Sequence, residues 1–177
     1  MEKRITVDEY FRMPETSRGH ELAFGVLREP PTPTYGHQQT VGQLFLVLRS
    51  HVHDHQLGEV CLSPMDVVLD EEAALIVQPD LMFISNERRS IIRSHIWGAP
   101  DLVVEVASPA THHRDRTLKL AWYRRYDVRE CWFVHPVERR IEVFDCERNS
   151  SASFTGEAPI RSRVLPDLAV PVNACFA

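Results

Sequence analysis

Glycine is scarce in this chain, 7 of 177 residues, and no glycine cluster of the kind that cradles phosphates occurs, which disfavours nucleotide-binding folds and a nucleotide cofactor. Apolar runs are short. Leu102-Val103-Val104 is typical and falls far below the length needed to cross a bilayer, so no membrane role is expected. The opening Met1-Glu-Lys-Arg-Ile-Thr carries neither an apolar core nor a small-residue cleavage site, and a secretory leader is not expected. The four cysteines, Cys61, Cys131, Cys146 and Cys175, form no close pair of the metal-binding or redox type. Cys61 and Cys131 lie inside apolar, strand-like runs, and buried reduced thiols suit a cytoplasmic protein. A basic surplus is missing too. The net charge of −5 counts against a strong nonspecific nucleic-acid binder.

What is present is an ordinary globular composition, 44% hydrophobic and 25% charged, in a length that fits one domain over 1–177. A chain of this size can bury a core without disulfides or a structural metal. Residues 1–36 read as a helix-and-hairpin region. Thr6 opens a short helix with Glu9 as capping-box partner, and Pro14 stops it. Glu21 to Arg28, with Gly25 inside, reads as a hairpin, and the three prolines between Pro30 and Gly36 impose a loop. From His37 to about His55 the spacing of Val41, Leu44, Phe45, Leu48 and Val52 predicts a helix, with Gly58 just past its end. Strand-like runs follow at Glu59–Leu62, Asp66–Leu69, Pro79–Ile84, Asp101–Val106, Glu130–Val134 and Ile141–Phe144, and Ser85 to His95 reads as a short helix or ordered loop. A second helix, Arg114 to Tyr126, separates the fourth and fifth strands and makes a strand–helix–strand crossover. The segment 150–177 begins polar and turns apolar at Val164–Val172, where it is expected to pack back on the domain. The fold class is therefore α/β (α+β), a mixed sheet flanked by helices.

Acid placed inside apolar strands is the feature that points to chemistry. Asp80 precedes Leu-Met-Phe-Ile, and Glu105 is enclosed by Leu-Val-Val and Val. An ionised carboxylate in such surroundings requires a partner or a metal. Asp101 and Glu105 share a strand face but stand about 13 Å apart, too far for one ion to bridge. A partner for Glu105 must come from a neighbouring strand, and Asp80 is the candidate. Two converging carboxylates suit Mg²⁺ or Mn²⁺, which could activate water against a phosphodiester. Equally, Asp80 could cap a turn after Pro79 while Glu105 pairs with a buried arginine.

Other groupings rank lower. Between His112 and Arg125, five basic residues (Arg114, Arg116, Lys119, Arg124 and Arg125) oppose one acid, Asp115, and Arg88, Arg89 and Arg93 form a smaller cluster. Charge runs of this kind are usually solvated faces. His51 and His55 share a helix face but lack the nearby acid of a zinc protease. Ser108 precedes Pro109 without a nucleophile elbow, His112 and His113 read as loop residues, and Trp132 reads as packing.

Several segments in order carry a resemblance. Gln78-Pro79-Asp80-Leu81, the run from Gly98 to Pro109, then Asp115, Lys119, Tyr123 and Glu130-Cys-Trp-Phe-Val are similar to the bacterial Uma family of endonuclease-like proteins. His20-Glu21-Leu-Ala-Phe-Gly, His37 and Arg161-Ser-Arg-Val-Leu-Pro extend the match over nearly the whole chain. The resemblance implies the PD-(D/E)XK restriction-endonuclease-like fold and a Mg²⁺- or Mn²⁺-dependent endonuclease acting on DNA. Asp80 and Glu105 would be the metal ligands, Glu21 an additional acid, and Arg114, Arg116 and Arg124 nucleic-acid contacts. Ala107 stands two residues after Glu105, where that motif expects lysine, and Lys119 on the next helix is the natural substitute. Read by spacing alone, Lys119 is instead an i,i+4 partner of Asp115, and Tyr123, one turn on, is either core or a hydrogen-bonding group at the site. Homodimers are common among such nucleases, since cutting two strands takes two sites. The competing readings are a metal- or nucleic-acid-binding module of the same fold without efficient cleavage, and a structural protein whose acids are ion pairs.

Overall fold

The computed structural model describes residues 4–14, 19–107 and 113–176, apart from the side chains of 113–115. Helix α1 (Val7–Phe11) opens with the capping box expected at Thr6 and Glu9, in which each side chain bonds the other residue's backbone N–H. Strands β1 (Glu21–Ala23) and β2 (Val26–Arg28) are joined by Phe24 and Gly25 at φ 52° and 82°, the left-handed pair that a two-residue hairpin turn demands. Helix α2 spans Tyr35–Asp54, two residues earlier than the apolar stripe suggests, because the Thr34 side chain caps it by accepting from the His37 N–H. Gly58 does not end this helix. The left-handed residue after α2 is Gln56, and Gly58 opens β3 (Gly58–Leu62), where a Cβ would lie 2.1 Å from the Ile84 carbonyl oxygen.

The remaining elements are β4 (Val67–Asp70), β5 (Leu75–Val77), β6 (Leu81–Ser85), a 3₁₀ turn at Asn86–Ile91, β7 (Ile96–Trp97), β8 (Leu102–Val106), α3 (His113–Arg125), β9 (Glu130–His135), β10 (Arg140–Asp145), β11 (Ser150–Thr155) and a final 3₁₀ turn at Val172–Cys175. A six-stranded sheet runs β11-β10-β9-β8-β6-β3, antiparallel except for the β8/β9 pair that α3 connects. The sheet flanked by helices is thus present, with a second sheet, β2-β1-β5-β4-β7, beside it. Three strands in these sheets carry too little pattern to announce themselves. β5 and β7 are three and two residues long, and β11 is an almost wholly exposed strand at the sheet edge, four of its six residues serine or threonine.

Both faces of the six-stranded sheet are covered, as the doubly apolar β6 and β8 require. On one face Leu81, Phe83, Leu102 and Val104 pack against Val41, Leu44, Leu48 and Val52 of α2. Ile160, Leu165, Leu168 and Val172 from the C-terminal segment fill the same cluster. On the other face Met82, Val103, Cys131 and Phe133 meet Trp122 and Tyr123 of α3 and Val67, Leu75 and Val77 of the second sheet.

The C-terminal segment is pinned to this framework by Glu130, which is 2% exposed. Its carboxylate accepts from Trp132 Nε1 at 2.7 Å, Ser162 Oγ at 2.6 Å and the Arg163 N–H at 2.8 Å. Replacing it leaves three donors without an acceptor. Glu130→Ala is expected to lower the unfolding free energy by about 3 kcal/mol in a urea titration. A change below about 0.5 kcal/mol would show that the tail is held by its apolar contacts alone.

Candidate functional site

Strands β6 and β8 pair with Leu81 opposite Val104, so the next residue outward on each side places Asp80 across from Glu105. Asp80 is held in two directions. Its Oδ2 accepts the Val106 N–H at 2.7 Å, and its Oδ1 lies 3.1 Å from His37 Nε2 in the first turn of α2. Glu105 points to the α3 side of the sheet, where Lys119 Nζ sits 3.2 and 3.4 Å from its two oxygens and the Tyr123 hydroxyl donates to Oε1. The spacing of Lys119 and Tyr123, one helical turn apart, lets both reach the same carboxylate. Glu21 arrives from the second sheet, and its Oε1 accepts from Lys119 Nζ at 2.9 Å and from the Gln78 N–H at 3.1 Å.

Burial governs the protonation of this group. The Glu105 side chain is 15% exposed. Desolvation pushes its carboxyl up to about 7, the positive Lys119 opposes that rise, and the neighbouring Asp80 and Glu21 add to it. Burial likewise raises the Tyr123 phenol, helped by the negative Glu105, so Tyr123 stays a protonated donor. His37 is raised above its ordinary value chiefly by its hydrogen bond to Asp80, against the opposing effect of burial.

Asp80, Glu105, Glu21 and Lys119, four residues picked out from sequence, are therefore brought together. The arginines are not. Arg116 turns inward, pairs with Glu142 and lies over the rings of Phe133 and Phe144 at 4.7 and 5.4 Å. Arg124 is exposed, beside Leu120, Phe144 and Cys146. The side chains of Arg114, Asp115 and His113, and residues Ser108, Pro109 and His112, lie outside the described residues. Arg88 bonds the carbonyls of Ala99 and Asp127, Arg89 pairs with Glu59, and Arg93 lies over Trp97. His51 is taken up by the Pro166 carbonyl of the C-terminal segment, and His55 by the His51 carbonyl at the end of α2. Tyr123 proves to be both core, fully buried, and a ligand of Glu105. His37 is the site residue that composition and spacing did not single out. Its signal was slight, a histidine three residues after a capping threonine.

Among the described residues no three His, Cys, Asp or Glu side chains converge as a ready-made metal cluster. The donor set nevertheless fits a hard divalent cation. It offers carboxylate oxygens, and Glu105 is held beside two like charges that a cation would offset. Asp101, just before the same strand, is different. Fully buried, it is closed off by Arg129 at 2.8 Å and by the Ser85 N–H at 2.7 Å.

A family model described as "Uma2: Putative restriction endonuclease" matches residues 7–173. The chain is also similar to a solved structure, a putative nuclease belonging to DUF820 from Anabaena variabilis, at 19% identity and a TM-score of 0.81, covering 97% of each chain. That likeness shows the fold. No curated protein matches. No helix among the described residues is long and apolar enough to cross a membrane.

Because the folded carboxyl of Glu105 is raised from 4.5 to about 7, the folded chain retains between those values a proton that the unfolded chain gives up. The unfolding free energy of metal-stripped protein, measured relative to Glu105→Gln, should then fall as pH rises from about 4.5 to about 7 and level off above. Parallel curves for the two proteins would contradict the desolvation argument.

Proposed function

The chain belongs to the Uma2 family, and from that premise we propose that it is a divalent-metal-dependent endonuclease that hydrolyses DNA phosphodiester bonds. The observation that carries the proposal is the placement of Asp80 opposite Glu105 on adjacent strands, with Lys119 brought onto Glu105 from α3 at 3.2 Å. Asp80 and Glu105 would hold Mg²⁺ or Mn²⁺, with Glu21 close by through Lys119. Such a cation supplies Lewis acidity and a bound water of lowered pKa.

The residues of the chain do the rest. Val106 and His37 fix the Asp80 carboxylate, and Tyr123 fixes that of Glu105. Lys119 stands where an ammonium can orient the attacking water or offset negative charge growing on the phosphate. It fills from α3 the role that the motif gives to a lysine at the position of Ala107. The exposed Arg124 and Arg125 add positive charge beyond the site for steering the DNA backbone, an attraction that weakens with salt.

A second reading has one observation in its favour. Lysine is absent at position 107, and Lys119 is already shared between Glu21 and Glu105. A binding module of the same fold, holding metal or nucleic acid without cutting it, would tolerate this arrangement.

Supercoiled plasmid incubated with the protein and Mg²⁺ or Mn²⁺ separates the two. Nicking that chelator abolishes, and that Asp80→Ala and Lys119→Ala each slow by at least about 100-fold, is the expected result. Cleavage unchanged by both substitutions would overturn the proposed site. Metal binding with no cleavage of any nucleic acid would favour the binding module.

A further inference from the structure

Asp80 is gripped from two sides, and one grip comes from the far face of the sheet. His37 belongs to α2, whose apolar stripe packs on the face opposite α3, yet its ring reaches round the end of β6 to Asp80 Oδ1. An ionised carboxylate only accepts, so the imidazole nitrogen at 3.1 Å is the donor. The other oxygen, Oδ2, is held by the Val106 N–H at 2.7 Å. One lone pair on each oxygen is thereby engaged, the carboxylate plane is set, and a second lone pair on each oxygen is left for another partner.

The cost of this arrangement argues against mere packing. The His37 side chain is 10% exposed, and its Nδ1 is buried with no hydrogen-bond partner among the described residues. An unsatisfied buried nitrogen is destabilising. A leucine in the same place would remove that penalty, so packing alone gives no reason for an imidazole here. The ring is also firmly mounted. Its backbone N–H donates to the Thr34 capping oxygen, and the 20-residue helix behind it is anchored by Leu44 and Leu48, both fully buried.

We infer that His37 is a positioning residue for the metal centre: through its Nε2–H it fixes the Asp80 carboxylate in the orientation that accepts a divalent cation. The inference rests on the metal-dependent reading above. It adds to the acids and the lysine a residue from α2, which ties the cation site to both faces of the sheet. Outer hydrogen bonds of this kind typically carry roughly a 10- to 100-fold effect on metal affinity.

The test is calorimetric titration of metal-stripped protein with Mn²⁺, using native protein, His37→Leu and His37→Gln, with thermal unfolding of each as a control on folding. Leucine fills the space without a donor, and glutamine restores an N–H at nearly the same reach. The expected result is at least about a tenfold loss of Mn²⁺ affinity in His37→Leu, with no loss of thermal stability, and affinity near the native value in His37→Gln. Native-like affinity in His37→Leu would overturn the role of His37 and leave the cation site standing. An equal loss in both variants would also overturn it, since a donated hydrogen bond would not be what matters. Failure of the native protein to bind Mn²⁺ would remove both this inference and the metal-dependent reading.

Discussion

Glu105 stands on an interior strand among valines and leucines, and an ionised carboxylate there can persist only beside compensating charge and donors. Much of the architecture around it follows from that constraint. Helix α3 supplies Lys119 and Tyr123, which lie one turn apart and both reach Glu105. The second sheet brings in Glu21, which shares Lys119 and takes a backbone N–H from Gln78, two residues before Asp80. Three acids share one ammonium, and the upward push on the Glu105 carboxyl comes chiefly from its burial, with Asp80 and Glu21 adding to it against the opposing Lys119.

Asp101, just before β8, and Glu105, near its end, face the same problem and are treated differently. Asp101 is fully buried, but Arg129 and the Ser85 N–H satisfy it completely, and it serves the framework. Glu105 is given a lysine shared with another carboxylate and is placed across from Asp80. The contrast separates a structural ion pair from the pair of carboxylates proposed to take a cation. The arginines follow the structural pattern. Arg88 and Arg129 serve Asp101, and Arg116 and Arg140 serve Glu142. A stretch that reads as strongly basic in sequence is thus partly spent on internal acids.

Long periodic elements are legible in the sequence. The apolar stripe of α2, the crossover β8–α3–β9 and the capping box at Thr6 all appear where spacing placed them. The second sheet is not, because β5 and β7 are too short to show a period; at the edge of the six-stranded sheet, β11 sets only Ala152 and Phe154 among four hydroxyl residues. At the site, an acid inside an apolar strand marked Glu105, and the need for a partner on a neighbouring strand led to Asp80. Lys119 came from the motif resemblance, since nothing in its local spacing distinguishes it from a surface i,i+4 pair. His37 entered through the motif resemblance without a role, for a topological reason. Its helix covers the opposite face, and only the three-dimensional path of α2 past the end of β6 brings the imidazole to Asp80.

The central claim is that Asp80 and Glu105 together form a cation site. It is tested most directly by a crystal structure of the protein soaked in Mn²⁺, with anomalous scattering used to locate the ion. An anomalous peak is expected between the Asp80 and Glu105 carboxylates, with oxygen ligands at about 2.1 Å or slightly longer. An ordered site with no such peak, and with Lys119 still bridging Glu21 and Glu105 at saturating Mn²⁺, would contradict it.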